Sequence, residues 1–230
     1  MNLLAIETSS PVLSVAIKKC GAKLRHATVK GYMKHAENLL PVLDRLLKKE
    51  KLKIRDIDAF LISRGPGSFT GLRIGFATLK GFLATCPKPC YGAFSLDVIA
   101  AGMKPEEMKN LTVCLDARRG KLYTRSYCYH KKRWNPRGPS RVLPIETMAS
   151  RLPEGSWIAG DGIRKFDPKG SAIAPEKSWY PKASTLISLF EAKDPLLKLL
   201  RSPKEFLPVY LRSSEPEEKL KEKKCACHCP

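Results

Sequence analysis

The sequence predicts an α/β protein of two lobes with mixed sheets, the second lobe reduced. Three observations carry this. Short β-branched and apolar runs alternate with segments of helical period. The pattern stops at Lys104-Pro105-Glu106-Glu107 and then begins again. Both halves open on the same device, an apolar strand ending in an acid, a turn and a returning strand: LLAIETSSPVLSVAI carries Glu7 and TVCLDARRGKLYTRS carries Asp116. This reads as a degenerate internal duplication. The expected division is residues 1–103 for the first lobe and 104–212 for a smaller second lobe whose last segment returns to the first. Residues 213–230 form a charged, Cys-rich tail.

Asn2 to Glu7, the turn Thr8-Ser9-Ser10-Pro11 and Val12 to Ile17 make a β-hairpin, and Lys23 to Val29 supplies a third strand. Between Met33 and Lys51, Leu39, Leu43 and Leu46 recur with Leu40 and Leu47 at spacings of three and four, which predicts an amphipathic helix. Pro41 inside it predicts a kink or a later start. A strand over Ile57 to Ser63 follows, then a helix from Gly71 to Thr85 with Thr70 as its N-cap, a strand over Cys90 to Phe94 and a short helix over Ser95 to Met103. In the second half, Leu111 to Asp116 and Lys121 to Tyr129 flank the turn Ala117-Arg118-Arg119-Gly120. Ser156 to Ala159 is a strand running into Gly160-Asp161-Gly162, and Ser184 caps a helix ending near Ala192.

With 230 residues, 43% hydrophobic and 28% charged, the chain has the balance of an ordinary globular protein. No apolar run approaches the roughly 20 residues a membrane-spanning helix needs, and Glu7 interrupts the first apolar stretch too early for a secretory signal. The expectation is a cytoplasmic protein without membrane contact. Five dispersed cysteines, two of them inside apolar runs, argue against a secreted disulfide scaffold. A net charge of +20 supplies the electrostatics for attracting a polyanion such as RNA.

The stretch RGPGSFTGLRIG, Arg64 to Gly75, resembles a phosphate-holding loop at a helix start. The nucleotide-binding form ends in Gly-Lys-Ser/Thr, but here Leu72 and Arg73 follow Gly71, so the lysine is lost. The helix it launches has three apolar or small stripes: Leu72, Phe76, Leu79 and Leu83; Gly71, Gly75 and Thr78; Ile74, Ala77, Gly81 and Ala84. A helix apolar nearly all round must be covered nearly all round. A sheet covers one side, so a partner protein is expected on the other.

Catalytic candidates are sparse. No two of His26, His35, His130 and His228 stand at i, i+4 spacing. Glu7 and Asp116 would hold a magnesium-bound nucleotide between facing lobes with Gly160, Asp161 and Gly162, or serve only as strand ends. Cys225, Cys227, His228 and Cys229 offer zinc ligands in number, but crowded below the usual C-x2-C spacing.

In order, LAIETSS with SVAI, KHAENLLPVLDRLL, ISRGPGSFTGLRIGFATLKGF, CLDARRGKLYTRSY, AGDG and LPVYLR resemble the TsaB (YeaZ) family of the actin/Hsp70/sugar-kinase superfamily. The resemblance implies two actin-like, ribonuclease H-like lobes. It implies a non-catalytic, cofactor-free subunit that binds and activates a TsaD-type threonylcarbamoyl transferase in tRNA modification, joined by a TsaE-type ATPase, with tRNA received through the complex and a homodimer when alone. The implied interface is His35, Leu39 and Leu43 on one helix, and Ser68, Phe69, Thr70, Gly71, Leu72, Arg73, Gly75, Phe76, Thr78, Leu79 and Leu83 on the next. The catalytic relative carries H-x-x-x-H on the first helix; this chain has His35 and then Leu39. Glu7 replaces the family's common Asp. The alternative is an ATP-binding enzyme of the same superfamily. Gly75→Leu is expected to block the partner and spare the monomer.

Overall fold

The computed structural model describes residues 1–31, 34–104, 109–152, 155–168 and 170–212. In the first half come β1 (Leu3–Glu7), β2 (Val12–Lys18), β3 (Arg25–Lys30), α1 (His35–Glu50), β4 (Ala59–Ser63), α2 (Phe69–Thr85), β5 (Cys90–Ala93) and α3 (Ser95–Ala101). The second half holds β6 (Asn110–Arg118), β7 (Lys121–His130), β8 (Arg133–Pro136), β9 (Arg141–Pro144), β10 (Trp157–Ala159), β11 (Ala172–Ile173), α4 (Ala183–Glu191) and β12 (Lys198–Leu199). The last turn before β11 is a short 3-10 helix, Asp161–Lys165.

The duplication appears as topology. One sheet runs β12-β5-β4-β1-β2-β3, the other β11-β10-β6-β7-β8 with β9 also on β7. In each, three antiparallel strands lead the copy and two parallel strands are added beside the first of them, β4 and β5 on β1 and β10 and β11 on β6. This is the two-lobe, ribonuclease H-like arrangement that the sequence predicts.

β1 and β4 are buried along their whole length because helices cover both faces. On one side Leu4, Ile6, Leu13, Val15 and Ile17 meet Leu39, Val42, Leu43 and Leu46 of α1 and Phe76 and Leu79 of α2. On the other, Leu3, Ala5, Ala16 and Leu61 meet Ala183, Leu186, Ile187 and Leu189 of α4. Thus α4 and β12 of the second half return to the first sheet, while Leu96, Ile99 and Ala100 of α3 pack into the second.

α1 starts at His35, after the Met33 at which its pattern begins, and contains Pro41, which lacks the N–H that would have bonded the Glu37 carbonyl. Two local expectations are corrected. Ser68, not Thr70, caps α2: its backbone is extended and its Oγ accepts from Gly71 N at 3.2 Å, whereas Thr70 already lies in the helix. Ser184 lies inside α4, whose first amide, Ala183 N, donates instead to Ser14 Oγ of β2 at 3.1 Å.

The glycines of the Arg64 to Gly75 stretch press onto the β1–β2 turn. A Cβ at Gly67 would overlap the Ser9 carbonyl oxygen, one at Gly71 the Thr8 carbonyl oxygen and one at Gly75 the Thr8 hydroxyl. Ser68 N donates to Ser9 O at 2.7 Å. Gly81 is different, with nothing near the position of its missing Cβ. Gly75→Leu is therefore not a probe that spares the monomer, because the side chain would have to displace Thr8.

Gly71→Ala is expected to destabilise the protein by about 1–3 kcal/mol through overpacking against backbone. Gly81→Ala is expected to stabilise it by roughly 0.8–1 kcal/mol, since the alanine gains helix propensity and meets no neighbour. Urea unfolding of the two variants measures both.

Candidate functional site

At the end of β1 the chain builds a polar chamber and closes it. Glu7 is fully buried, and Thr8, Ser9 and Ser10 are almost so. Glu7 Oε1 accepts from Ser9 N at 2.6 Å. Its second oxygen and the hydroxyls of Thr8, Ser9 and Ser95 are buried without a protein partner. Burial pushes the Glu7 carboxyl above its ordinary range, and the Ser63 and Ser9 neighbours pull it back in part. The cover is α2, whose Gly71 and Gly75 stand against Thr8.

The second copy keeps its acid nearer the surface. Asp116 accepts from Arg118 N at 2.7 Å and pairs with Arg118 at 3.4 Å and Lys165 at 3.7 Å. Its own amide donates to Asp161 Oδ1 at 3.0 Å. Burial raises the Asp161 carboxyl. Gly160, at φ +106°, turns the chain where a Cβ would overlap the Cys114 carbonyl, and a Cβ at Gly162 would stand 2.9 Å from the Leu122 side chain. So the structure gathers Asp116, Gly160, Asp161 and Gly162 into one cluster at the end of β6, with the two glycines there for close packing. Glu7 stands in the separate chamber on the first sheet.

The predicted interface residues divide into two groups. His35, Leu39, Leu43, Gly71, Leu72, Gly75, Phe76 and Leu79 are buried in their own lobe. His35 is 5% exposed, with Nε2 2.8 Å from Ser10 O, and burial lowers its pKa. In the isolated chain these residues hold the two helices onto the sheet. Leu83 and Thr78 are half-buried. Ser68, Thr70 and Arg73 are exposed, and half-buried Phe69 stacks on Tyr210 with ring centres 4.5 Å apart.

What α2 offers outward is its third stripe without Ile74, which is partly buried and packs on the core. Ala77, Gly81 and Ala84 are exposed, flanked by Arg73 and Lys80. On α1, packed beside it, Leu40 is 55% exposed. Sequence reading had separated this stripe from the other two, but periodicity alone does not say which of three stripes meets the sheet. The segment before residue 212 returns to the first lobe as expected, but its particular partners were not foreseen. Tyr210 Oη lies 3.3 Å from Arg73 Nε, Val209 N donates to Arg64 O at 2.7 Å, and Arg212 bonds the carbonyls of Ala117 and Arg118. No local pattern signals a contact across so many residues.

Among the described residues no group of three or more His, Cys, Asp and Glu side chains is placed to hold a metal. Cys225, Cys227, His228 and Cys229 lie outside the described residues. No described helix is long and apolar enough to cross a membrane.

The Glu7 chamber carries a pH signature. A carboxyl whose folded-state pKa is raised keeps its proton in the native state while the unfolded chain releases it above about pH 4.5. Native stability therefore falls as pH rises from there to the folded-state pKa. Glu7→Gln keeps the acceptor for Ser9 N and removes the ionisation. Its stability relative to the parent is expected to increase between pH 4 and pH 8 in urea titrations, and a pH-independent difference would refute a raised Glu7.

Comparison with known proteins gives consistent findings. Residues 31–179 match the family model described as TsaD, tRNA N6-adenosine threonylcarbamoyltransferase. The tRNA threonylcarbamoyladenosine biosynthesis protein TsaB of Haemophilus influenzae is 27% identical over 236 residues, covering 96% of this chain and 97% of that protein. An uncharacterized protein of Mycobacterium tuberculosis strain H37Rv is 33% identical over 203 residues, covering 82% of this chain and 90% of its own. The structure of YeaZ from Pseudomonas aeruginosa superposes with a TM-score of 0.77 at 26% identity, over 91% of this chain and 99% of that one. A match to the transferase model, near full-length TsaB relatives and the same two-lobe fold as YeaZ converge on one assignment: the chain belongs to the TsaB (YeaZ) family.

Proposed function

We propose that this protein acts in tRNA threonylcarbamoyladenosine biosynthesis as a non-catalytic subunit that binds and activates a TsaD-type transferase. The observation that carries the reading is the outward stripe of α2. Ala77, Gly81 and Ala84 lie open beside Leu40 of α1, with no large side chain among the three. Small residues admit close approach of a second helix, so the face suits another protein better than a small molecule. Arg73 and Lys80 border it and favour a partner with acidic groups at the rim.

The positions where the resemblance places a metal pair are otherwise engaged. His35 holds the Ser10 carbonyl and Leu39 is core. Glu7, the acid a nucleotide enzyme would use, is sealed beneath Thr8 and α2. Both features support assigning the transfer chemistry to the partner. A TsaE-type ATPase joins the assembled pair in this reading. In the absence of the transferase a second copy covers the same stripe, so the free protein is a homodimer through α1 and α2, and the tRNA substrate is received by the assembly.

The test is Gly81→Leu. With open space at Gly81, the monomer is expected to keep its fold. The added side chain would hold a partner helix away, lowering affinity for the transferase subunit at least 100-fold in calorimetry and shifting the free protein to a monomer in size-exclusion chromatography. Unchanged affinity would remove α2 from the interface.

A further inference from the structure

The tip of the β7–β8 hairpin is held in a conformation that its residues disfavour. The two-residue turn is Lys131-Lys132, at φ +51° and +62°. Such turns with both central residues left-handed strongly select Asn-Gly or Asp-Gly. The neighbouring β6–β7 turn meets that rule in its second position, with Gly120 at φ +68°, and departs from it in its first, with Arg119 at φ +50°. Lysine offers the turn nothing, since it has neither a short polar side chain to bond the backbone nor the freedom of glycine. The pair is therefore best explained by what the two ammonium groups do outside the chain.

The same end of the sheet collects further cations. Tyr129 N donates to Lys109 O at 2.9 Å, which places Lys109 beside the tip. Trp134 Nε1 donates to Met103 O at 3.1 Å, which brings the end of α3 and Lys104 to β8. Arg133 pairs with His130 across the hairpin. Lys104, Lys109, Lys131 and Lys132 are exposed, and Arg133 is half-exposed. No described ion pair engages any of the five. The connection between Lys104 and Lys109 adds Glu106 and Glu107 in sequence, so the cluster keeps an excess of positive charge.

We infer that this hairpin end of the second lobe is a phosphate-binding edge for RNA, contacted through the backbone and without base recognition. The inference rests on the tRNA-modification reading for its choice of polyanion. The edge belongs to sheet strands β7 and β8 and not to α1 or α2, so RNA and the transferase subunit occupy different surfaces. Lysines suit this task because each neutralised phosphate releases a counterion and needs no fixed geometry.

The double substitution Lys131→Asn/Lys132→Gly tests it with the full-length chain, because it removes two charges while giving the turn the residues it favours. The variant is expected to melt at or above the parent's temperature. Its affinity for unfractionated tRNA, measured by fluorescence anisotropy, is expected to fall about tenfold or more. The slope of log affinity against log salt should shrink by about 1.4 to 1.8, the contribution of two phosphate contacts. Lys131→Arg/Lys132→Arg should retain binding. Unchanged affinity and slope in the Asn-Gly variant would overturn the inference, as would binding by the parent to anionic phosphatidylserine vesicles but not to tRNA. Binding to the transferase subunit separates the two readings: both proteins should bind it equally. If neither binds it while the tRNA difference persists, the subunit reading fails and the edge stands.

Discussion

The contact between the glycines of the α2 start and the backbone of the β1–β2 turn governs the first lobe. Gly67, Gly71 and Gly75 let the helix approach Thr8 and Ser9 more closely than any side chain permits. That approach has two consequences that cannot be separated. It seats Leu72, Phe76 and Leu79 in the sheet core, and so turns Ala77, Gly81 and Ala84 outward. It also closes the polar chamber around Glu7. Opening the chamber to a ligand would require lifting α2, and lifting α2 would dissolve the face it presents.

The second copy shows the same plan carried out with less material. β10 ends in Gly160-Asp161-Gly162, which press onto Cys114 as the α2 glycines press onto Thr8, but only a 3-10 turn follows. With no long helix to cover it, Asp116 stays near water and meets Arg118 and Lys165. The lobe compensates by borrowing α3, whose Leu96, Ile99 and Ala100 fill its core, and by lending α4 and β12 to the first sheet. This exchange of elements makes the two sheets mutually dependent. Residue 103 accordingly divides the strands of the two sheets except for β12, while α3 and α4 each pack on the sheet of the other half.

The strands of the first half, the two acid-tipped hairpins and β10 were legible in the sequence because alternation and turn chemistry are local, whereas β8, β9, β11 and β12, of two to four residues each, are too short to show a period. The stripes of α2 were legible too, since period 3.6 fixes which residues share a face. The assignment of stripes to neighbours was not. Gly71 and Gly75 look like an interface stripe until Thr8 stands against them, and that neighbour is more than sixty residues away. The caps failed for a related reason. Thr70 and Ser184 are good capping residues, but Ser68 adopts the extended backbone that a cap requires, and Ser14 reaches α4 from another strand. Tyr210 on Phe69 is wholly a tertiary fact.

The strand-end acids of the two copies meet different surroundings. Glu7 has lost its access and with it the reason to be ionised, since burial disfavours the charged form. Asp116 pairs with Arg118 and Lys165 of its own lobe. On the outside lie small apolar residues on α2 of the first lobe and, at the tip of the second, lysines that no ion pair among the described residues engages. The lobes thus diverge in what they display, small apolar residues on one and lysines on the other. On the proposed function, that division fits a subunit that contacts two macromolecules.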